Sequence, residues 1–560
     1  MSSKTVANAV GQGPSDAHPK AFDPITLVLT AVLSVLGAVI GLNLVTTLGI
    51  SPNTSVIGAL VAMLVGRISF AGLSRMRSRH RQNLVQSAVS GATFAAANSL
   101  LTPIAVPFAL GRPELVGPML LGATIGLAVD GWVLYRVFDS RLLPAGNAWP
   151  PGVAAAETIK AGDSGGRRAL ILGVGGLVGL VGTLLKLPMS AAGVALIGNM
   201  WALLMFGVGL LVAQYAPTLF HVSLSTLYIP HGVMIGAGVV ALGQAVVVLA
   251  GWGRRRQQRA ARVRDRAAER PVATVDDEEH TVDDHRMRRG LVEGLVLFVA
   301  GAVVLAVVGG VTAQMSPIAL VGWVLLAGIA ALVHQLIVGL AAMHSGWFPA
   351  FAVTLIFLIL GLVLGIPTVP LALLVGYAAS TGPAFADMGY DFKAGWLLRR
   401  DARPWRPFEN AGRQQQYLAQ LVGFAVALVT VILTWRSFFG QGLVPPVAKV
   451  YASTIVAGIS DPSVLGNLLL WAVPGALIQL LGGPARQMGV LLATGLLVAT
   501  PQACWAVLGA LLVRAGYGWW RRRSGGRTAG EDADTDLALV GAGLIAGGSV
   551  ADTSQILRAK

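Results

Sequence analysis

The sequence predicts an all-α fold, a polytopic membrane helical bundle. Three observations carry this. Hydrophobic residues make up 55% of the 560-residue chain and charged residues 12%, about half the ~25% usual in soluble domains. Mean hydropathy is +0.70. The apolar residues also fall in runs of about 20, the length of helix that crosses a hydrocarbon core of ~30 Å. A soluble chain of this length would need polar surface for several domains, and this one has too few polar residues to supply it. A disordered chain and a conventional cytosolic enzyme are excluded on the same ground. Cys504 is the only cysteine. No disulfide scaffold is available, and a thiol in an apolar run reads as packing.

Residues 1–23 are polar, with no apolar h-region, and are expected to form a flexible cytoplasmic tail rather than a cleaved signal. Candidate spans follow at 25–48, 54–73, 84–110, 115–138, 169–189, 191–214 and 230–252. Others lie at 291–311, 317–341, 347–366, 368–386, 417–436, 463–482 and 485–516, the last expected to break near Pro501. Stretches 218–229, 447–460 and 537–550 are short and read as half-helices or re-entrant segments. The total is about 14–16 helices on the span-length criterion.

The net charge of +15 does not spread over a nucleic-acid-binding face. It sits in Arg/Lys clusters at Arg67–Arg81, Arg136–Arg168, Arg254–Arg289, Lys393–Arg413 and Arg514–Arg527. Under the positive-inside rule these are cytoplasmic. Counting spans between them puts the N-terminus, the 254–289 linker and the Lys393–Arg413 loop inside, for a multi-pass protein of the cell (inner) membrane. The linker holds 19 of the 67 charged residues and separates segments of 253 and 271 residues. The expected organisation is therefore two pseudo-repeat halves, 24–253 and 290–523, with a C-terminal tail at 524–560. Equal apolar halves about a charged loop are a mark of duplicated transporters.

Ionisable groups at membrane depth are costly and need a reason. Asp130 lies well inside its span and is a candidate proton carrier; the plainer alternative is an ion pair with Arg136. Glu157 and Lys160 stand three apart after Pro150-Pro151-Gly152, in a stretch too short to span. They suit either a re-entrant element or a surface pair. His334 and His344 are candidate relays, with buried structural roles the more common outcome. Asp461 reads as a helix cap. The acidic and histidine-bearing tract Asp276–His285 reads as a solvated linker, so no metal site is assigned. No Gly-Lys-Ser/Thr phosphate loop is present, so ATP is not expected to power the chain directly.

Four stretches, in order, resemble the oligopeptide transporter family and its yellow-stripe-like members. Arg81-Gln82-Asn83-Leu84-Val85-Gln86-Ser87 resembles an Asn-x-x-Gln-Ser/Thr signature. Pro150 to Gly162 resembles a Pro-x-Gly element that ends Glu-x-x-Lys-Ala-Gly. Asp387 to Leu398, then Arg413-Gln414-Gln415-Gln416, resembles an Asp-x-x-x-Asp-x-Lys element followed by Arg-Gln-Gln. Ala542 to Gly547 resembles a closing run of small residues. The chain departs from the family at Gln82 and Gly548, where carboxylates are usual, and at Val153 and Ala155.

The resemblance implies proton-driven symport of small peptides or metal–chelator complexes, with protons as coupling ion and no cofactor. It implies that Asn83 and Gln86 line the path, and that Glu157 and Lys160 form a carboxylate–amine element. Asp387, Asp391, Lys393 and Gln414 would form its second-half counterpart. Glu157 and Asp130 are the expected proton carriers. The expected partners are a peptide or metal chelate and the lipid bilayer, with a homodimer as an option and no nucleic acid. The competing readings are a lipid-modifying membrane enzyme and a facilitative channel.

Overall fold

The computed structural model describes residues 18–49, 78–161, 166–221, 223–224, 226–241, 243–244, 280–345, 350–458, 462–483, 486–498, 501–524 and 529–558. Among these, helices dominate and the one sheet-like contact is an isolated bridge between Phe138 and Leu143. The helices in the first part are α1 (Pro24–Thr47), α2 (Arg79–Ala109), α3 (Pro113–Val137), α4 (Pro150–Ala161), α5 (Gly166–Leu184), α6 (Met189–Ile197), α7 (Met200–Phe220) and α8 (Ile229–Ala241). Then come α9 (Asp284–Val308), α10 (Pro317–Ser345), α11 (Ala350–Val363), α12 (Thr368–Ala379), α13 (Pro383–Arg399) and α14 (Trp405–Gly440). The chain closes with α15 (Pro446–Ala457), α16 (Pro462–Gly482), α17 (Met488–Leu497), α18 (Cys504–Ser524) and α19 (Ala529–Arg558). Eight helices among the described residues are long and apolar enough to cross a membrane, and five apolar ones are shorter.

Proline and glycine punctuate this order for physical reasons. Proline opens α1, α3, α4, α10, α13, α15 and α16. Its fixed φ suits the first helical turn, where its missing N–H is no loss. Glycine in the left-handed region closes the helices that precede several of these starts, as at Gly111 (φ 73°) before Pro113 and Gly442 (φ 74°) before Pro446. Asn199 breaks the expected span 191–214 in two. Its side chain accepts from the N–H groups of Trp201 (3.1 Å) and Ala202 (3.2 Å), capping α7.

The packing is that of a bundle in lipid. Val174, Leu177, Val296, Val307, Leu433, Leu469 and Leu480 are exposed, while Asp130, Asp387, Asp391 and Glu409 are fully buried. A soluble protein shows the reverse. Small residues let backbones meet. A Cβ on Gly41 of α1 would sit 2.3 Å from the Thr93 carbonyl of α2.

Several expectations shift. The span 54–73, Asp461 and the acidic run at 276–279 lie outside the described residues, as does the side chain of His344. Helix α9 starts at Asp284, inside the expected linker, because Asp283 caps it by accepting from the Arg286 N–H (2.8 Å). Residues 18–23, expected as tail, are docked: the Ala21 N–H donates to Gln415 (2.8 Å) and Asp23 pairs with Arg81 (2.7 Å). The expected loop Lys393–Arg413 is mostly helix, since α13 runs on to Arg399 and α14 begins at Trp405. The expected span 368–386 breaks at Ser380–Gly382, where Gly382 takes φ 89°. The break near Pro501 is present, as a short 3-10 turn at Pro501–Ala503.

Candidate functional site

Three helices meet along a polar seam. On α2, Asn83, Gln86, Ser87 and Ser90 recur at spacings of three and four, so they share one face. On α13, Asp387 and Asp391 are one turn apart, as are Gln416 and Gln420 on α14. All eight side chains are buried. Gln86 donates through Nε2 to Asp391 Oδ1. Gln420 donates to the other oxygen at 2.6 Å. Gln416 Nε2 donates to the Asp391 carbonyl (2.8 Å) and to Ser87 Oγ (2.9 Å). Ser90 donates to Asp387 (2.7 Å), and Asn83 to Gln86 Oε1 (3.0 Å). Hydrogen bonds to an ionised carboxylate offset part of its burial cost. The offset is incomplete around the seam: Tyr390 Oη, Gln416 Oε1 and Gln420 Oε1 are buried and have no hydrogen-bond partner among the described residues.

Asp130 sits beside the broken helix. Its carboxylate accepts from the Gly382 N–H (3.1 Å to each oxygen) and the Phe385 N–H (2.9 Å). It thus caps α13 from α3, with no bond to Arg136, which pairs with Glu293 (3.4 Å). His334, buried on α10, faces the same break. Its Nε2 meets the Ala350 carbonyl (3.0 Å) and Thr354 Oγ1 (2.9 Å), joining α10 to the first turn of α11.

The remaining basic groups brace this frame. Lys393 turns away from the carboxylates of α13 and donates to the carbonyls of Ala145 (2.7 Å) and Asn147 (3.0 Å). Arg413 donates to the Phe138 carbonyl (3.1 Å) and Thr281 Oγ1 (2.8 Å). Arg399 and Glu409 form an ion pair at 2.8 Å with both side chains fully buried.

Glu157, Lys160 and Gln414, all expected at the site, lie elsewhere. Glu157 is 63% exposed and pairs with Lys160 at 3.0 Å, the geometry of a surface pair. Helix α4 instead docks through its small face, Ala155, Ala156 and Ile159 against Ala394. Gln414 is exposed, because it lies two residues out of phase with the buried Gln416 on α14. The structure brings together Asn83, Gln86, Asp387 and Asp391. It adds Ser87, Ser90, Gln416 and Gln420, whose signal was available as polar residues at helical spacing inside apolar runs.

Farther along α2 the helix widens into a π-segment, Ala95–Leu101, which carries Asn98. Such insertions recur at functional sites. Asn98 and Thr102 line a cavity of about 150 Å³ with Thr354, Tyr451, Ala379 and Pro383. Ala379 and Pro383 flank the break between α12 and α13, Ala350–Ala352 open α11, and Pro445–Val447 open α15. Four interruptions in helical structure therefore converge on one small space. Irregular backbone at membrane depth is tolerated where it is buried or lines a cavity.

An apolar exterior, interrupted helices around a central cavity and buried carboxylates define a class, the polytopic membrane transporters. The chain belongs to the oligopeptide transporter family within it: the family described as OPT oligopeptide transporter protein matches residues 24–253 and 177–553. It is accordingly a transporter and not an enzyme. Comparison with curated proteins and with solved structures gives no match.

Proposed function

We propose that this chain is a proton-coupled importer that carries small oligopeptides, or metal–chelator complexes, by alternating access. The convergence of interrupted helices on the cavity at Asn98, Thr354 and Pro383 carries the reading. Breaks place hinge points and helix ends around a solute, as in other transporters with discontinuous helices. At about 150 Å³ the cavity is smaller than the ~300–1,000 Å³ of ligand sites. A peptide therefore requires the walls to move.

Asp391 is the proposed coupling group, in place of Glu157. Ionised, it draws Gln86 of α2 and Gln420 of α14 onto α13. A proton on the carboxylate removes one acceptor site and weakens the charge-assisted bonds. Protonation thus loosens the three-helix seam and also removes a charge that is costly at membrane depth. Asp130 is assigned to holding the break together rather than to carrying the proton.

The test is uptake into proteoliposomes, with and without an imposed pH gradient, over a peptide panel and a metal-chelate panel. Gradient-stimulated uptake of at least one panel is expected, and Asp391→Asn should reduce it to the level of empty liposomes. Gradient-independent uptake by the wild type would rule out proton coupling, and undiminished uptake by the variant would remove Asp391 from the mechanism.

A further inference from the structure

A second cavity, of about 1020 Å³, lies against the far side of α15 from the small one. Pro446, Val447 and Tyr451 face the small cavity, whereas Lys449, Ala452, Ser453 and Val456 face the large one. One short helix, bounded by Gly442 (φ 74°) and Gly458 (φ 57°), thus divides them. Ala109, the last residue of α2, also lines the large cavity. The cavity therefore lies at the end of the bundle opposite Arg79 and Arg81, about 45 Å away for 31 residues of helix.

Its chemistry is one-sided. Lys449, His221 and His231 line it, and no aspartate or glutamate does among the described residues. Lys449 has no ion pair among the described residues. His231 is 9% exposed, and its Nδ1 has no hydrogen-bond partner among the described residues. A buried imidazole nitrogen without a partner is costly, and the half-buried Lys449 ammonium has no acidic side chain on the cavity wall to offset its charge.

We infer that the large cavity is a binding vestibule for a carboxylate-bearing solute, with Lys449 as its charge-selecting residue. The inference rests on the transporter reading and names the substrate class that reading leaves open: cargo with net negative charge, such as acidic peptides. A carboxylate seated by Lys449 meets an ammonium donor in a cavity that His231 also lines, and α15 lies between it and the inner cavity. Neutral cargo of the same shape forgoes the charge-assisted bond.

The experiment measures binding of a glutamate-containing tripeptide, and of the same tripeptide with glutamine, to protein in phosphatidylcholine vesicles. The wild type is expected to bind the acidic peptide about tenfold more tightly, the worth of one charge-assisted hydrogen bond. Lys449→Gln should remove most of that preference. Ser453→Asp, which puts a carboxylate on the same wall, should abolish it by a second route. Equal binding of the two peptides by the wild type, or an unchanged preference in a monodisperse Lys449→Gln protein, would overturn the inference. Loss of the wild-type preference on adding phosphatidylglycerol, with Lys449→Gln insensitive to that lipid, would also overturn it by assigning the cavity to lipid headgroups. Uptake distinguishes the two readings. Acidic-peptide binding without uptake of any peptide would sink transport and leave the vestibule standing. Gradient-driven uptake without charge preference would do the reverse.

Discussion

Two seams hold this bundle together by opposite means. Between α5 and α19 the join is made by glycine: a Cβ on Gly547 would lie 1.9 Å from the Gly176 carbonyl, and one on Gly543 would lie 2.6 Å from that of Leu172. Between α2, α13 and α14 it is made by amides, hydroxyls and carboxylates, with Asp391 at the centre. The first seam stabilises by close backbone approach, which needs no charge and has no reason to change state. The second carries buried carboxylates at a cost that packing alone does not require. That contrast is why the polar seam is assigned the coupling role and the glycine seam an adhesive one. It also gives the closing small-residue run, Ala542 to Gly547, a structural explanation.

The comparison can be broken or sharpened by graded substitutions. The largest effect is expected at the glycine seam. Gly547→Leu forces backbone apart and should cost more than about 4 kcal/mol, the range reserved for severe overpacking. The expected result is no monodisperse protein on size exclusion, and a well-folded variant would show that the close approach is dispensable. Next, Asp130→Ala leaves the Gly382 and Phe385 N–H groups without their acceptor. A loss of about 3 kcal/mol is expected for two orphaned donors, read by thermal unfolding in detergent.

Asp391→Asn replaces one carboxylate oxygen with an NH2 donor that faces a glutamine donor, and should cost about 1–2 kcal/mol in stability while abolishing gradient-driven uptake. Equal damage to both readouts would make the polar seam merely adhesive, like its counterpart. A smaller, pH-dependent effect belongs to the docked N-terminal segment. Burial, then the nearby Arg399 guanidinium, lowers the His18 pKa from 6.5 to about 3. The unfolded segment binds the proton that the docked one refuses, so docking is strongest above pH 6.5 and weakens as pH falls toward 3. The protection of residues 18–23 against hydrogen exchange, taken relative to the intrinsic rate at each pH, should fall between pH 7 and pH 4, and His18→Phe should flatten the trend. The smallest effect is expected at Glu157→Gln, about 0.5 kcal/mol or less, with uptake unchanged, because an exposed ion pair contributes little.

Much of the architecture was legible because lipid imposes a simple rule. An apolar run of sufficient length becomes a helix, and Pro and Gly mark where it starts and stops, so Pro24, Pro113 and Pro317 are readable as helix starts. The seam was half legible. Asn83, Gln86, Asp387 and Asp391 were marked by their place in the motifs, and Ser87 and Ser90 share the face of Asn83 and Gln86 at helical spacing. Choosing Gln416 over Gln414 required the rotation of α14, which is set by what it packs against and not by its own residues. Lys393 was assigned to a loop because it opens the basic cluster Lys393–Arg413, which the positive-inside rule reads as cytoplasmic. Its buried carbonyl partners, Ala145 and Asn147, are more than two hundred residues away in sequence.

Composition and run length alone determined that this chain lives in lipid as a helical bundle, since no water-soluble fold hides so many apolar side chains. Which polar groups face one another was decided only by the tertiary structure. A hydrogen bond depends on ångström-scale distance and direction between segments that the order of residues does not encode locally. Asp130 on α3 and the Gly382 N–H at the break before α13 meet because α3 packs against α13.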